Sequence, residues 1–389
     1  MVTHISDYQH AIREKFSQLF HQEPLLIRSP GRVNLIGEHT DYNMGFVLPA
    51  SINKAIYLGI HKRNDMEIHL HSLDYNDDYQ TTTDTIQRSG KLWPDYILGV
   101  IEQIQRSHQA IGGFNIVFGG DIPPGAGLSS SAALECATAY ALNHLFDLGY
   151  QKMELVRIAQ SAENEFVGMQ CGIMDQFASV FGKEGHLIRL DCENLDHTYI
   201  PFRAEHIKII LFDTRVKHSL ASSAYNERRA QCEEGLRLIQ SARPEVSSLR
   251  YATEDMLFEY VKPVSETIYR RCSYVVSENE RLLMGCKDLE NDDLASFGKR
   301  MFETHAGLKD LYKVSCEELD LLVDLVKNNP DVIGARMMGG GFGGCTINLV
   351  KAGAVEKLIE TVSETYKSHT GKELLAYETN IENGTSIID

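Results

Sequence analysis

No stretch of eighteen consecutive apolar residues occurs in the sequence, so none of it is long and apolar enough to read as a membrane-spanning helix. The first twenty residues carry Asp7, Arg13, Glu14 and Lys15 and lack the apolar core of a secretory leader. Basic residues are scarce: 38 Lys and Arg stand against 54 Asp and Glu, a formal charge of −16 at pH 7. That balance argues against general binding to nucleic acid or anionic membranes, which need a basic footprint, though it leaves room for a local basic pocket. None of the eight cysteines belongs to a CxxC pair, which removes the usual signals of a zinc site and a redox dithiol. In a chain of this size they read as reduced, mostly buried thiols, and a cytoplasmic location is the expectation. Internal repeats and low-complexity linkers are missing as well.

What is present is ordinary for a globular protein: 389 residues, 43% apolar and 24% charged. That excludes disorder, collagen and coiled coil as overall classes, and the length alone suggests two or three domains. Ile5, Tyr8, Ile12, Phe16 and Leu19 recur at helical spacing over residues 5–20. Extended runs are expected at 25–28, 55–61, 66–73 and 114–118, with a helix over 94–107. A helix over 129–146 is apolar nearly all round and so reads as buried. Another covers 152–167, followed by strands at 178–181, 186–190 and 207–213. From 222 to about 328 the pattern is mostly helical. Strands at 333–338 and 344–350, a helix at 354–367 and a strand at 374–379 close the reading. The expected architecture is α+β, in two closely associated domains of residues 1–205 and 206–389.

Two segments are rich in glycine. PPGAGLSSSAAL, from Pro123, follows a strand and opens a helix. Unpaired amides and the helix dipole favour a phosphate there without a cation in the motif, and no GK[ST] of a Walker A loop is present. Ser129, Ser130 and Ser131 could cap the helix, donate to phosphate oxygens or touch a metal; a plain turn with a capping serine is the competing reading. GGGFGG at 339–344 contains GxGxxG, but a strand follows where a dinucleotide site needs a helix. It is either a tight hairpin or a place where backbone passes close to a ligand or another domain.

Polar residues also cluster. GRVNLIGEHTDYNMG at 31–45 brings Arg32, Asn34, Glu38, His39, Asp41, Tyr42 and Asn43 together between apolar strands. A solvated loop, a metal site lacking its other ligands, and a polyol site remain open. On helix 152–167, at 100° per residue, Glu163 falls in the apolar sector while Glu154 and Glu165 face away. An acid so placed needs a salt bridge, hydrogen bonds or a metal. Asp175 lies among Ile173, Met174 and Phe177, so it too needs a buried partner, for which Arg32 is the natural cation.

GRVNLIGEHTDYNMGFVLP, PPGAGLSSSAALE, CGIMDQF and MMGGGFGGCTI together resemble the signature segments of the galactokinase family, within the GHMP small-molecule kinases. The resemblance spans residues 31–347 in the family's order, and EHTDY is its most specific part. It implies an N-terminal domain like ribosomal protein S5 domain 2, a ferredoxin-like C-terminal domain and an active site in the cleft between them. It implies ATP-dependent phosphorylation of the C1 hydroxyl of α-D-galactose. Asp175 would be the catalytic carboxylate and Arg32 its cationic neighbour. Glu38, His39, Thr40, Asp41, Gly172 and Tyr225 would bind the sugar. Gly125, Ala126, Gly127, Leu128, Ser129, Ser130 and Ser131 would hold the ATP phosphates, and Ser131 with Glu163 would bind Mg²⁺. Galactose and ATP are then the partners, with no nucleic acid and no membrane, and a monomer is expected. A catalytically inactive galactose sensor and an N-acetylgalactosamine kinase are the alternatives; the intact serine loop, Asp175 and Arg32 speak against the sensor.

Overall fold

The computed structural model describes residues 5–107, 110–203, 205–216 and 221–388. The first part of the chain runs α1 (Ile5–Phe20), β1 (Leu25–Asn34), β2 (Phe46–Val47), β3 (Pro49–Lys62), β4 (Glu67–Ser72), β5 (Asp77–Thr82), α2 (Leu92–Arg106), β6 (Phe114–Gly120), α3 (Ser130–Leu145), α4 (Lys152–Ser161), α5 (Met174–Phe181), β7 (His186–Asp191) and β8 (His197–Pro201). Then follow β9 (Ile207–Asp213), α6 (Ala221–Gln240), α7 (Glu254–Met256), α8 (Glu266–Glu290), α9 (Leu294–Gly307), α10 (Glu317–Val326), β10 (Val332–Met337), β11 (Cys345–Lys351), α11 (Val355–Thr370), β12 (Leu375–Thr379) and β13 (Ser386–Ile388).

The larger sheet has the order β13-β1-β3-β6-β4-β5, antiparallel except for the β4–β6 pair. Helix α1 buries Ile12 and Phe16 in a cluster with Leu26, Tyr57 and Val117. Helix α3 packs on β1 and β3 and is flanked by α2, α4 and α5. Its run of alanines lets neighbours on every side approach, which is why its apolar surface is continuous rather than a stripe. In the second sheet, β10-β11-β9-β12, all pairs are antiparallel. Counted along the chain this is the order 2-3-1-4 with helices between the first and second and the third and fourth strands, the ferredoxin-like arrangement the resemblance implies. Helices α10 and α11 cover it through Leu322, Val326, Val355, Leu358, Val362 and Tyr366. Strand β13 leaves this domain and pairs with β1, Ile387 opposite Ile27.

Two expectations fail locally. Residues 178–181 end helix α5 rather than form a strand, because Met174, Phe177, Ala178 and Phe181 recur at helical spacing. The helix expected over 152–167 stops at Ser161, and Ala162–Val167 is a π-helical turn closed by Gly168 at φ 94°. Single π turns of this kind recur at functional sites.

Candidate active site

Strand β1 changes register between Pro30 and Arg32. Such an irregularity re-aims the side chain beside it. Here it turns the Arg32 backbone toward the loop before α3, where its N–H donates to the Leu128 carbonyl at 3.2 Å. The Arg32 guanidinium donates from Nη1 to the Gly127 carbonyl at 2.6 Å. Its other edge is a fork on Asp175, Nε to Oδ1 at 2.7 Å and Nη2 to Oδ2 at 2.9 Å. Asp175 lies in the first turn of α5, where the helix dipole favours a carboxylate. The Arg32 side chain is 6% exposed and that of Asp175 is 24% exposed, so the pair opens to the cleft through its acid. Burial works against the Arg32 charge, but Asp175, Glu38 and Asp41 more than offset it and hold the guanidinium protonated. The pairing read from sequence is the one the fold makes.

The glycine-serine loop diverges from its simplest reading. Ala126 and Leu128 turn their side chains into the core. Ser129 occupies the N-cap position of α3 at φ 59° and makes no capping bond. Its hydroxyl donates to Asp175 Oδ2 instead. Ser130 is exposed. Ser131 donates to Glu163 Oε1 at 3.0 Å. The π-helical turn carries Glu163 into the cleft wall, 4% exposed, while Glu154 and Glu165 are exposed. Gln176 donates to Glu163 Oε2 at 2.7 Å and reaches Glu135, fully buried on α3. Burial, then the Asp175 charge, raises the Glu163 pKa. Burial, then Glu163, holds Glu135 well above the carboxylate range.

The 38–43 turn forms the opposite wall. Glu38 Oε1 accepts from Gly339 N–H at 2.8 Å and from Arg336 at 3.0 Å. His39 Nδ1 meets the Tyr42 hydroxyl at 2.8 Å, and Tyr42 meets Tyr312 at 2.8 Å. The His39 ring lies against the Gly340 backbone, and its Nε2 is buried without a hydrogen bond of ordinary geometry among the described residues. Burial lowers the His39 pKa to about 4, so the ring is neutral at pH 7. Thr40 is fully buried behind the turn, its hydroxyl on the Gly37 and Phe46 carbonyls, and does not line the cleft. Asp41 packs over Gly172, where an added Cβ would lie 1.7 Å from Asp41 Oδ2, so any larger residue would displace that carboxylate. Burial, then the Asp175 charge, raises the Asp41 pKa to about 7. Tyr225 on α6 closes the wall, its ring 5.3 Å from that of His39.

These residues line one cleft of about 580 Å³. Arg32, Glu38, His39, Asp41, Ser131, Glu163, Gly172, Asp175, Tyr225 and the glycines 339–341 all face it. The glycine segment 339–344 is both of the things its sequence allowed. It is the turn of the β10–β11 hairpin, and it runs over the other domain's loop, Gly344 beside Ala126 and Gly339 beside Gly127. Gly341, at φ 89°, has Val314 backbone where a side chain would begin. Sequence reasoning missed Arg336, Gln176, Glu135 and Tyr312. Arg336 had a signal, a lone charge inside the apolar strand GARMM.

Two domains of this topology, meeting at a serine-glycine loop and a hairpin of glycines, define a GHMP-type kinase. The chain matches the family models of the GHMP kinases N terminal domain over residues 95–183 and the GHMP kinases C terminal over 287–368. The galactokinase galactose-binding signature matches residues 14–62. The galactokinase of Thermotoga petrophila is 44% identical, over 93% of this chain and 99% of its own. That of Clostridium acetobutylicum is 40% identical, over 98% and 100%. The crystal structure of Lactococcus lactis galactokinase complexed with galactose superposes with a TM-score of 0.94 at 34% identity, over 98% of this chain and 100% of that one. Methanococcus jannaschii mevalonate kinase, at 18% identity and a TM-score of 0.68, shares the fold. The chain belongs to the galactokinase family.

Proposed function

We propose that the chain transfers the γ-phosphoryl group of ATP to the C1 hydroxyl of α-D-galactose, giving galactose 1-phosphate and ADP. The observation that carries this reading is the Arg32–Asp175 fork, set between the loop of Gly127 and the turn of Glu38–Asp41. Phosphoryl transfer asks chiefly for positioning and charge neutralisation. Amides of the 125–131 loop, at the N-terminus of α3, receive the phosphates. Glu38, Asp41 and the His39 Nε2 supply the sugar with hydroxyl acceptors and a histidine nitrogen, and Tyr225 supplies an apolar wall. Asp175 Oδ1 takes the C1 hydroxyl's hydrogen bond and then its proton as that oxygen bonds to the γ-phosphorus and ADP leaves. Arg32 neutralises charge beside the transferring group.

The donor set also fits Mg²⁺. Ser131 Oγ and Glu163 Oε1 are hard oxygens 3.0 Å apart on the cleft wall. Mg²⁺ is commonly held by one or two protein oxygens together with substrate phosphates and water. When bound, the ion supplies further neutralisation of phosphate charge.

The reading is tested with a panel of sugars and ATP, following ADP release, on the wild type and Asp175→Asn. Galactose turnover should dominate. The variant should lose about 10²–10⁴-fold in kcat, the usual weight of a general base. Its calorimetric galactose affinity should stay near wild type. Near-normal kcat in Asp175→Asn would sink the assignment.

A further inference from the structure

We propose that Ser129, the first serine of the loop, is a positioning residue for Asp175 rather than a phosphate ligand. Its hydroxyl selects which carboxylate oxygen receives the sugar. The proposal rests on the reading of Asp175 as the group that meets the C1 hydroxyl.

Three observations carry it. Ser129 stands at φ 59°, a left-handed conformation that glycine adopts freely and other residues keep only when their surroundings demand it. Gly125 and Gly127 of the same loop take positive φ without cost, so the loop has no general need of a serine in such a backbone. The hydroxyl is not used for the role an N-cap serine ordinarily fills, since no side-chain bond to the helix is formed. It donates to Asp175 Oδ2.

The consequence follows from counting lone pairs. Each carboxylate oxygen offers about two acceptor directions. Oδ2 receives Arg32 Nη2 and Ser129 Oγ and is full. Among the described residues Oδ1 receives only Arg32 Nε and keeps one direction open. The sugar hydroxyl therefore meets Oδ1, and the carboxylate cannot rotate to present Oδ2. Arg32 fixes the residues just before the serine through the carbonyls of Gly127 and Leu128. The loop that receives phosphate and the acid that receives the proton are thereby one rigid unit.

The test compares Ser129→Gly and Ser129→Ala with the wild type. Both remove the hydroxyl, but glycine also relieves the left-handed backbone, so its melting temperature should equal or exceed that of the wild type. Losing one hydrogen bond to a charged group should lower kcat about ten- to a hundredfold in both variants. The calorimetric galactose affinity and the KM for ATP should stay within about threefold, because neither substrate touches the serine hydroxyl, and the backbone amide that the loop offers to phosphate is kept in both variants. Three outcomes would overturn the proposal: a kcat within about threefold of wild type in both variants, a KM for ATP raised about tenfold with kcat preserved, or a kcat restored by glycine but not by alanine. The first two deny the positioning role, and the third assigns the effect to backbone strain. Asp175→Asn is assayed alongside. If it keeps its kcat, the reading of Asp175 has failed; if it loses kcat while the Ser129 variants do not, only the present proposal has.

Discussion

Arg336 on β10 and Glu38 beyond β1 meet at 3.0 Å in a seam with almost no solvent, the arginine fully buried and the acid 3% exposed. Arg336 is among the largest fully buried side chains of the protein. It also donates to the carbonyls of Leu35 at 2.8 Å, Met337 at 2.6 Å and Asn34. One guanidinium thus fastens the second domain to the turn that forms the cleft wall. Removing one partner of a buried pair strands the other's charge and costs about 3–5 kcal/mol. Arg336→Met should lose that much in urea denaturation, and Arg336→Lys should not restore it, because an ammonium cannot reproduce the set of bonds that the three guanidinium nitrogens direct to Glu38 and the three carbonyls. The double variant with Glu38→Gln should lose less than the sum of the singles. Strictly additive losses would mean the contact is incidental.

Ser131 and Glu163 should act together through Mg²⁺. Ser131→Ala and Glu163→Gln should each raise the Mg²⁺ concentration for half-maximal rate, on the order of tenfold, the lower end of what losing a supporting contact costs a metal site. Wild-type Mg²⁺ titrations in both variants would remove these residues from the ligand set.

Asp41 makes sugar binding depend on pH. Its pKa is raised from about 3.8 to about 7, so near neutrality much of it is protonated in the free protein. The ionised carboxylate is the stronger acceptor for a sugar hydroxyl. Galactose affinity should therefore improve as pH rises from 6 to 8, with proton release seen by calorimetry in buffers of different ionisation enthalpy. The stability sign is the reverse. A carboxylate whose folded pKa is raised favours the folded state at low pH and loses that advantage as pH climbs from about 4 to about 7, by at most about 4 kcal/mol. Asp41→Asn should thus melt above the wild type at pH 8, and the gap should close by pH 4. A gap that stays constant with pH would show the shift to be absent. His39, lowered to about 4, acts oppositely and loses stability as pH falls from 6.5 to about 4.

Gly172 leaves room for one arrangement of Asp41. In Gly172→Ala the carboxylate must move away from a Cβ set 1.7 Å from its oxygen. The KM for galactose should rise about tenfold or more, since an ångström of misplacement in a site can cost about 10²-fold, while the KM for ATP holds. Because an axial C4 hydroxyl distinguishes galactose from glucose, the ratio of kcat/KM for the two sugars should narrow as well. An unchanged ratio would move specificity away from Asp41.

Several features of this site were legible in the residues. An acid among Ile173, Met174 and Phe177 required a cation, and Arg32 provides it. An acid on the apolar sector of α4's continuation had to turn inward, and Glu163 does, although the π-helical turn that carries it left no trace in the periodicity. The direction of the Ser129 hydroxyl was not legible, because a cap, a phosphate ligand and a carboxylate donor use the same residue type. Tyr312 lies 270 residues from Tyr42, and no local pattern could announce their contact. Strand β5 is largely polar and β8 and β13 are only five and three residues long, so their extended state is set by the strands they pair with rather than by their own residues.

The return of β13 to β1 bears on how the protein is made. Alongside that strand, Thr385 joins Ser29 of β1 and Ser179 of α5 in a buried trio of hydroxyls, tying the strand of Arg32 to the helix of Asp175. During synthesis, strands β1–β8 leave the ribosome long before residues 381–388 do. Until those arrive, the larger sheet has an open edge at β1 and α5 lacks one of its fastenings. Contacts so distant in sequence form late and slowly. The nascent first domain therefore waits, incompletely closed, for the second to be translated, and the interval is one in which an unpaired β1 edge is open to chaperones or to a neighbouring chain.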